Sequence, residues 1–286
     1  MTLICLLAAL AVELHFKLGS EYRKFGWFAQ MREYLADLFI GKAFFDSWLG
    51  LGIILLLPAI AINILISVFD TTWLLPVQFI LGATILFYSL GPTPLEKSFT
   101  SYFQAMERGD AEAAYLHLKE QQLLAEVEES PEQDELIRTT TRLILTESSK
   151  RYFGVITWFI LLGPVAALFY RLAYVYQDLC ADEEFDDHRP LIAQLIHWLD
   201  WLPARVTSLM FLLTGDFVNG LYRVQDYLTD LDADNNQLIS ETGIAALGLE
   251  IGVSDTTAKE NIDAMAMVKR SIIFYLVIGA IFTILF

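Results

Sequence analysis

The sequence predicts an all-α, polytopic integral membrane protein with a cytoplasmic helical module, and three observations carry that prediction. The chain of 286 residues is 55% hydrophobic with a mean hydropathy of +0.47, too apolar for an ordinary soluble acidic protein. Its charges are bunched, leaving uncharged runs of 23 residues between Asp46 and Asp70, 25 between Asp70 and Glu96, and 19 between Arg151 and Arg171. The segments between these runs are polar and repeat their apolar residues with helical spacing. A net charge of −16, from 35 Asp+Glu against 19 Lys+Arg, removes the basic footprint a nucleic-acid partner would need. Two cysteines, Cys5 and Cys180, sit in no metal-ligand spacing and support neither a disulfide framework nor structural zinc.

Residues 1–92 read as an N-terminal apolar helix followed by a transmembrane hairpin. Met1 to Val12 is uncharged but short, and Glu13, His15 and Lys17 follow at once. No basic residue precedes it and no small-residue cleavage site ends it, which reads against a signal peptide. The next two uncharged runs each exceed the roughly 20 helical residues that a hydrocarbon core of about 30 Å requires. Asp70-Thr71-Thr72 leaves room between them only for a turn. Lys17, Arg23, Lys24, Arg32 and Lys42 precede the hairpin and the turn has no basic residue, so the turn belongs outside and both hairpin ends in the cytoplasm.

Residues 93–151 read as the cytoplasmic module. Leu95, Phe99, Tyr102, Phe103 and Met106 form one apolar stripe, and Arg108-Gly109-Asp110 ends that helix, with Gly109 as the stop and Asp110 capping the next. A third helix is predicted from Ser130 as N-cap, Pro131 at the first position and Gln133 closing a capping box. Its stripe ends on Glu147 and Arg151, one turn apart where the helix reaches the membrane. They form either an intrahelical ion pair or part of a polar site.

Residues 152–216 read as a kinked transmembrane helix and then broken or interfacial helices. Gly163-Pro164 kinks the span, because proline removes a backbone donor; the bend serves packing or opens a substrate cavity. After an acidic stretch from Asp178 to Asp187, Leu191 to Thr214 holds Asp200, Pro203 and Arg205 in its middle. Such charges are costly at a bilayer centre, so this stretch is predicted to break or lie at the interface. Residues 217–268 form an acidic, loop-rich region, and residues 269–286 a last transmembrane helix, with Lys269 and Arg270 snorkelling to the headgroups.

One short motif has metal-ligand spacing. Asp230, Asp232, Asp234, Asn236 and Glu241 match the one, three, five, seven and twelve positions of a calcium-binding EF-hand loop, with Asn235 where the turn glycine is usual. They bind Ca2+ or form an acidic surface turn. No Gly-x-Ser-x-Gly elbow, phosphate-binding loop or His-Glu-x-x-His helix occurs, and His15, His117, His188 and His197 are scattered.

Several segments carry a family resemblance: Met1-Thr2-Leu3, Val12 to Gly19 (VELHFKLG), Arg108-Gly109-Asp110, Glu147 to Gly154, Gly163-Pro164 through Phe169-Tyr170-Arg171-Leu172, and Leu199 to Thr207 (LDWLPARVT). End to end the chain resembles the AmpE family, inner-membrane proteins associated with control of β-lactamase induction. From Arg108 to Asp216 it also resembles, more distantly, the CbiB-type adenosylcobinamide-phosphate synthases. The first resemblance implies a regulatory protein that couples cell-wall state to β-lactam response. The second implies amide formation or group transfer on an amphipathic substrate. The polar pattern that follows the matched arginine in those synthases is replaced here by Ala173-Tyr174-Val175-Tyr176, and the run after the matched glutamate reads Ser148-Ser149-Lys150-Arg151. For an enzyme the candidate polar site is Glu13, Asp110, Glu147, Arg151, Arg171, Asp200 and Arg205, carboxylates serving as base or metal ligand and arginines holding an anion. The implied partners are the lipid bilayer, a small amphipathic or wall-derived ligand, and a protein partner.

Overall fold

The computed structural model describes residues 25–39, 42, 44–68, 75–91, 93–121, 123–124, 132–180, 188–228, 230–249 and 258–285, and every regular element among them is helical. In chain order these are α1 (Gly26–Leu38), α2 (Trp48–Val68), α3 (Leu75–Ser89), α4 (Leu95–Glu107), α5 (Ala111–Glu120), α6 (Gln133–Ser148), a π-helical turn (Ser149–Phe153), α7 (Gly154–Leu162), α8 (Pro164–Leu179), α9 (Arg189–Thr214), α10 (Phe217–Leu228), α11 (Asn235–Ala246) and α12 (Lys259–Leu285). Glu13, the turn at Asp70-Thr71-Thr72, the Ser130-Pro131 cap and the acidic residues from Asp182 to Asp187 lie outside the described residues. The chain divides into two compact units, one of residues 1–92, 154–202 and 279–286, the other of residues 93–153 and 203–278.

In the first unit, α8 packs against α2, α3 and α7. Its buried face presents Ala167, Leu168, Tyr170, Leu172, Ala173 and Tyr176. The opposite side of α2 is bare: Leu49 and Val68 are each 68% exposed, with Ile60 and Ile64 also uncovered. At 21 residues and about 1.5 Å per residue, α2 matches a hydrocarbon core of about 30 Å. It is one of two helices among the described residues long and apolar enough to cross a membrane, the other being Lys259–Ile281 within α12. The second half of the predicted hairpin is shorter than its uncharged run, because α3 has 15 residues and ends before Gly91, whose φ of +93° suits a residue without Cβ.

The expected kink at Gly163-Pro164 is a full break. Gly163 has φ +86° and serves as N-cap of α8, with Pro164 at the first helical position, where its missing N–H matters least. α7 and α8 fold back on one another, so that a Cβ added to Gly154 would stand 2.2 Å from the Tyr170 hydroxyl. The 19-residue run is therefore two helices, and the nine residues of α7 reach only about 14 Å. Gly154→Ala is expected to destabilise the protein by about 1–3 kcal/mol through overpacking, read as a lower midpoint of thermal unfolding in detergent; an unchanged midpoint would contradict this packing.

The predicted break in the Asp200–Arg205 segment is absent, since α9 runs through 26 residues with Pro203 inside. Proline leaves the carbonyl four residues before it without its usual helical donor. That carbonyl, on Leu199, accepts a hydrogen bond from the Trp158 indole N–H at 3.2 Å. An external donor thus replaces the missing backbone one.

In the second unit, α4 and α5 pack together, α6 touches α4, α5 and α11, and α10 pairs with α11. Asp110 caps α5 by accepting from the Ala113 N–H at 2.9 Å, and Gly109 has φ +74°, as the sequence predicts for this boundary. The buried face of α4 is Leu95, Ser98, Phe99, Tyr102 and Ala105, while Phe103 and Met106 of the predicted stripe are only half-buried. α6 starts at Gln133, two residues after the predicted first position, with Glu132 as N-cap.

Candidate functional site

A charged, largely buried constellation of the second unit lies where α6 passes into its π-helical turn. Glu147 is 16% exposed, Arg151 14% and Lys150 29%. Lys150 Nζ donates to Glu147 Oε1 at 3.1 Å and Arg151 Nε to Oε2 at 3.1 Å. The same guanidinium donates through Nη1 to the Thr93 carbonyl and to Ser98 Oγ, both at 2.9 Å. One residue on, the Tyr152 hydroxyl accepts from the Leu95 N–H at 3.2 Å, satisfying a first-turn donor of α4. Ser149 Oγ meets Thr207 Oγ1 at 3.0 Å. A π turn re-aims the residues it contains, and such turns concentrate at functional sites.

The electrostatics say what Glu147 can do. Burial pushes its carboxyl up, but Lys150 and Arg151 together outweigh burial and hold it below the ordinary carboxylate value. It is therefore an ionised anchor near neutral pH and a weak general base, since an effective base is poised near the working pH. Two cations around one carboxylate can instead take a second anion, a carboxylate or phosphate, by sharing.

A second polar centre belongs to the first unit. Asp200 accepts from the Tyr170 hydroxyl at 2.8 Å and from the Tyr174 hydroxyl, two phenols one turn apart on α8. Gly154 makes room for Tyr170. Arg171, also on α8, brings its guanidinium against Gly91: a Cβ there would be 1.8 Å from its Nη2, so the cation sits at the C-terminal end of α3, where the helix dipole favours it. Near Asn235, Arg205 performs a different task. Its Nε donates to Leu228 O at 3.2 Å, Nη1 to Asn235 Oδ1 at 2.8 Å, and Nη2 to Tyr227 O at 3.3 Å and to Asp230 O. It ties α9 to the end of α10 and the following loop.

That loop is the one with calcium-like spacing, and its groups point elsewhere. Asp234 is the N-cap of α11, accepting from the Asn236 and Gln237 N–H groups, and the helix begins at Asn235, inside the predicted ligand loop. Asp230 accepts from the Asp232 N–H at 3.0 Å. Glu241 is held by Arg223 at 3.0 Å and faces Arg142 at 3.9 Å. Among the described residues no three His, Cys, Asp or Glu side chains gather as a metal site. α11 starts at the sixth of the twelve positions, Arg223 binds the Glu241 carboxylate and Arg205 binds the Asp230 carbonyl.

Of the residues singled out in the sequence, the structure thus joins Glu147 with Arg151 and Arg205 with the Asp230 loop, and makes Asp110 a helix cap. Lys150 and the two tyrosines that hold Asp200 stand in the segments compared with the two families, but sequence reasoning gave them no role. The tyrosines carried a signal, two phenols four residues apart beside the matched Arg171.

The family model described as "Regulatory signalling modulator protein AmpE" matches residues 1–286. Protein AmpE of Shigella flexneri is 23% identical over 294 residues, covering 99% of this chain and 98% of that protein. A cobalamin biosynthesis protein CobD of Chromobacterium violaceum is 26% identical over 203 residues, 68% of this chain, and the match spans 64% of that protein's length. No solved structure matches. With a family match running from its first residue to its last, the chain belongs to the AmpE family.

Proposed function

We propose that this protein is a multi-pass component of the bacterial inner membrane that modulates β-lactamase induction in response to the state of the cell wall. The observation that carries the reading is the family match over residues 1–286. The uncovered apolar faces of α2 and α12 support a lipid setting, because exposed Ile, Leu and Val at this density have no favourable contact with water. In this reading the helical module of residues 93–151 faces the cytoplasm and transmits the cue to a protein partner, the ligand being amphipathic or wall-derived. Deleting the gene from a strain with inducible β-lactamase is expected to change induced activity and the pool of soluble wall fragments, with restoration by the plasmid-borne gene. Unchanged induction and unchanged pools would refute the role.

A second reading, a membrane enzyme joining or transferring groups on an amphipathic substrate, is favoured by the similarity to a cobalamin biosynthesis protein and by the largely sheltered cations around Glu147. In it Lys150 and Arg151 hold the substrate's anionic group. Binding of a corrinoid acid or an amino-alcohol phosphate to the purified chain, lost in Arg151→Gln, would favour it over the regulatory role.

A further inference from the structure

Phe103 and Met106, left over from the buried face of α4, line an open groove of about 630 Å3 in the second unit. The opposite wall is α12, through Ile262, Met265 and Ala266, and Glu96 and Lys269 stand at one end. The volume falls within the roughly 300–1,000 Å3 of ligand pockets. The walls are fixed relative to each other: the Tyr102 hydroxyl of α4 donates to Asn261 Oδ1 of α12 at 2.7 Å, and Lys269 Nζ bonds Glu96 Oε1 at 2.7 Å.

We propose that this groove holds an acyl chain of a bilayer phospholipid, with the zwitterionic head at Lys269 and Glu96. The inference rests on the membrane reading of α12 and adds to it a defined site. Along α12, Ile262, Ala266, Lys269, Ile273 and Val277 follow one another at three- and four-residue steps and so share one face. Ile262 is 56% exposed, Ile273 62% and Val277 51%. Both sides of Lys269 lie in the segment Lys259–Ile281 that is apolar enough to cross a membrane. From Ser271 on it carries no charge, and there the natural covering of the stripe is acyl chain, whereas Lys259, Glu260 and Asp263 precede Lys269. Before Lys269 the same face becomes the groove wall. The Lys269 stem is apolar and its ammonium can stay at the headgroup level, so a chain can follow that stem from stripe to groove, where Phe103, Met106, Ile262 and Met265 line the walls beside the polar Thr100, Gln104 and Glu107. At the mouth, one ammonium and one carboxylate side by side match the phosphate and the amine of a phosphatidylethanolamine head.

The test uses the full chain in vesicles of phosphatidylethanolamine and phosphatidylglycerol doped with phosphatidylethanolamine bearing a diazirine on its acyl chain. After photolysis, adducts mapped by peptide mass spectrometry are expected at Ile273 and Val277 and also at Phe103, Met106 or Ile262. Adducts on the stripe with none in the groove would overturn the groove site and leave the membrane reading standing; adducts in neither place would overturn both. Ala266→Trp, which fills the groove, is expected to abolish the groove adducts while stripe adducts remain, and groove adducts persisting in that variant would overturn the proposal. Groove residues that cross-link to another polypeptide in intact membranes, without lipid adducts, would overturn it in favour of a protein occupant.

Discussion

Replacing Glu147 by alanine is expected to destabilise the protein by about 3 kcal/mol, the scale for removing one member of a buried ion pair. The loss comes from what remains. Lys150 and Arg151 are both largely sheltered, and without the carboxylate two cations face each other with reduced access to water. Arg151 keeps the Thr93 carbonyl and Ser98, which places the figure at the lower end. Denaturant unfolding of the purified full chain measures it, and an unchanged midpoint would show that the pair contributes nothing. The pH dependence has a definite sign. Because the folded-state carboxyl is held below its ordinary value, its contribution is complete above the unfolded carboxylate value of about 4.3 and disappears as pH falls through the lower folded value. Glu147→Gln is therefore expected to flatten the acid limb of the stability curve, with the difference from wild type vanishing at low pH.

Asn261→Leu is expected to be comparably damaging, by about 3 kcal/mol. Asn261 is fully buried and serves three partners: it accepts from Tyr102, and its Nδ2 donates to the Ile137 carbonyl and to Thr141 Oγ1, each at 2.8 Å. Burial pushes the Tyr102 phenol up to about 12, so it remains a donor across the working range. Leucine fills the space but strands groups at about 1–3 kcal/mol each. Adding Tyr102→Phe removes one stranded hydroxyl, and the double variant is expected to be more stable than the two single losses would sum to. Strict additivity in that cycle would contradict the direct bond.

The two sensitive positions were unequally legible. Glu147 announced itself as a charge on a packing stripe near an uncharged run. Asn261 gave no such sign, because Tyr102 is 159 residues away and an asparagine in the first turn of a helix reads as an ordinary surface residue. Gly109 and Asp110 were legible for the opposite reason: stop and cap act within three residues. The calcium-like spacing reports side-chain order without backbone state, and the structure adds that Asp234 caps α11 and the later positions follow along a helix.

Sequence alone determined that the chain is helical, where the helix ending at Glu107 stops and its neighbour begins, and that α2 and the C-terminal helix are apolar enough for lipid. Those properties follow from propensity, capping and hydropathy, which act over a turn or a single segment. The region 217–268, read as loop-rich, instead holds α10, α11 and the start of α12. Tertiary structure decided the rest. Whether Gly163-Pro164 bends a span or reverses it depended on Gly154 admitting Tyr170. Whether Pro203 broke α9 depended on Trp158 meeting the Leu199 carbonyl. What each isolated charge does depended on partners such as Asn235 for Arg205 and Tyr170 for Asp200. A buried polar group must find a partner wherever the chain brings one, and that distance is set by packing between elements, which no local pattern encodes.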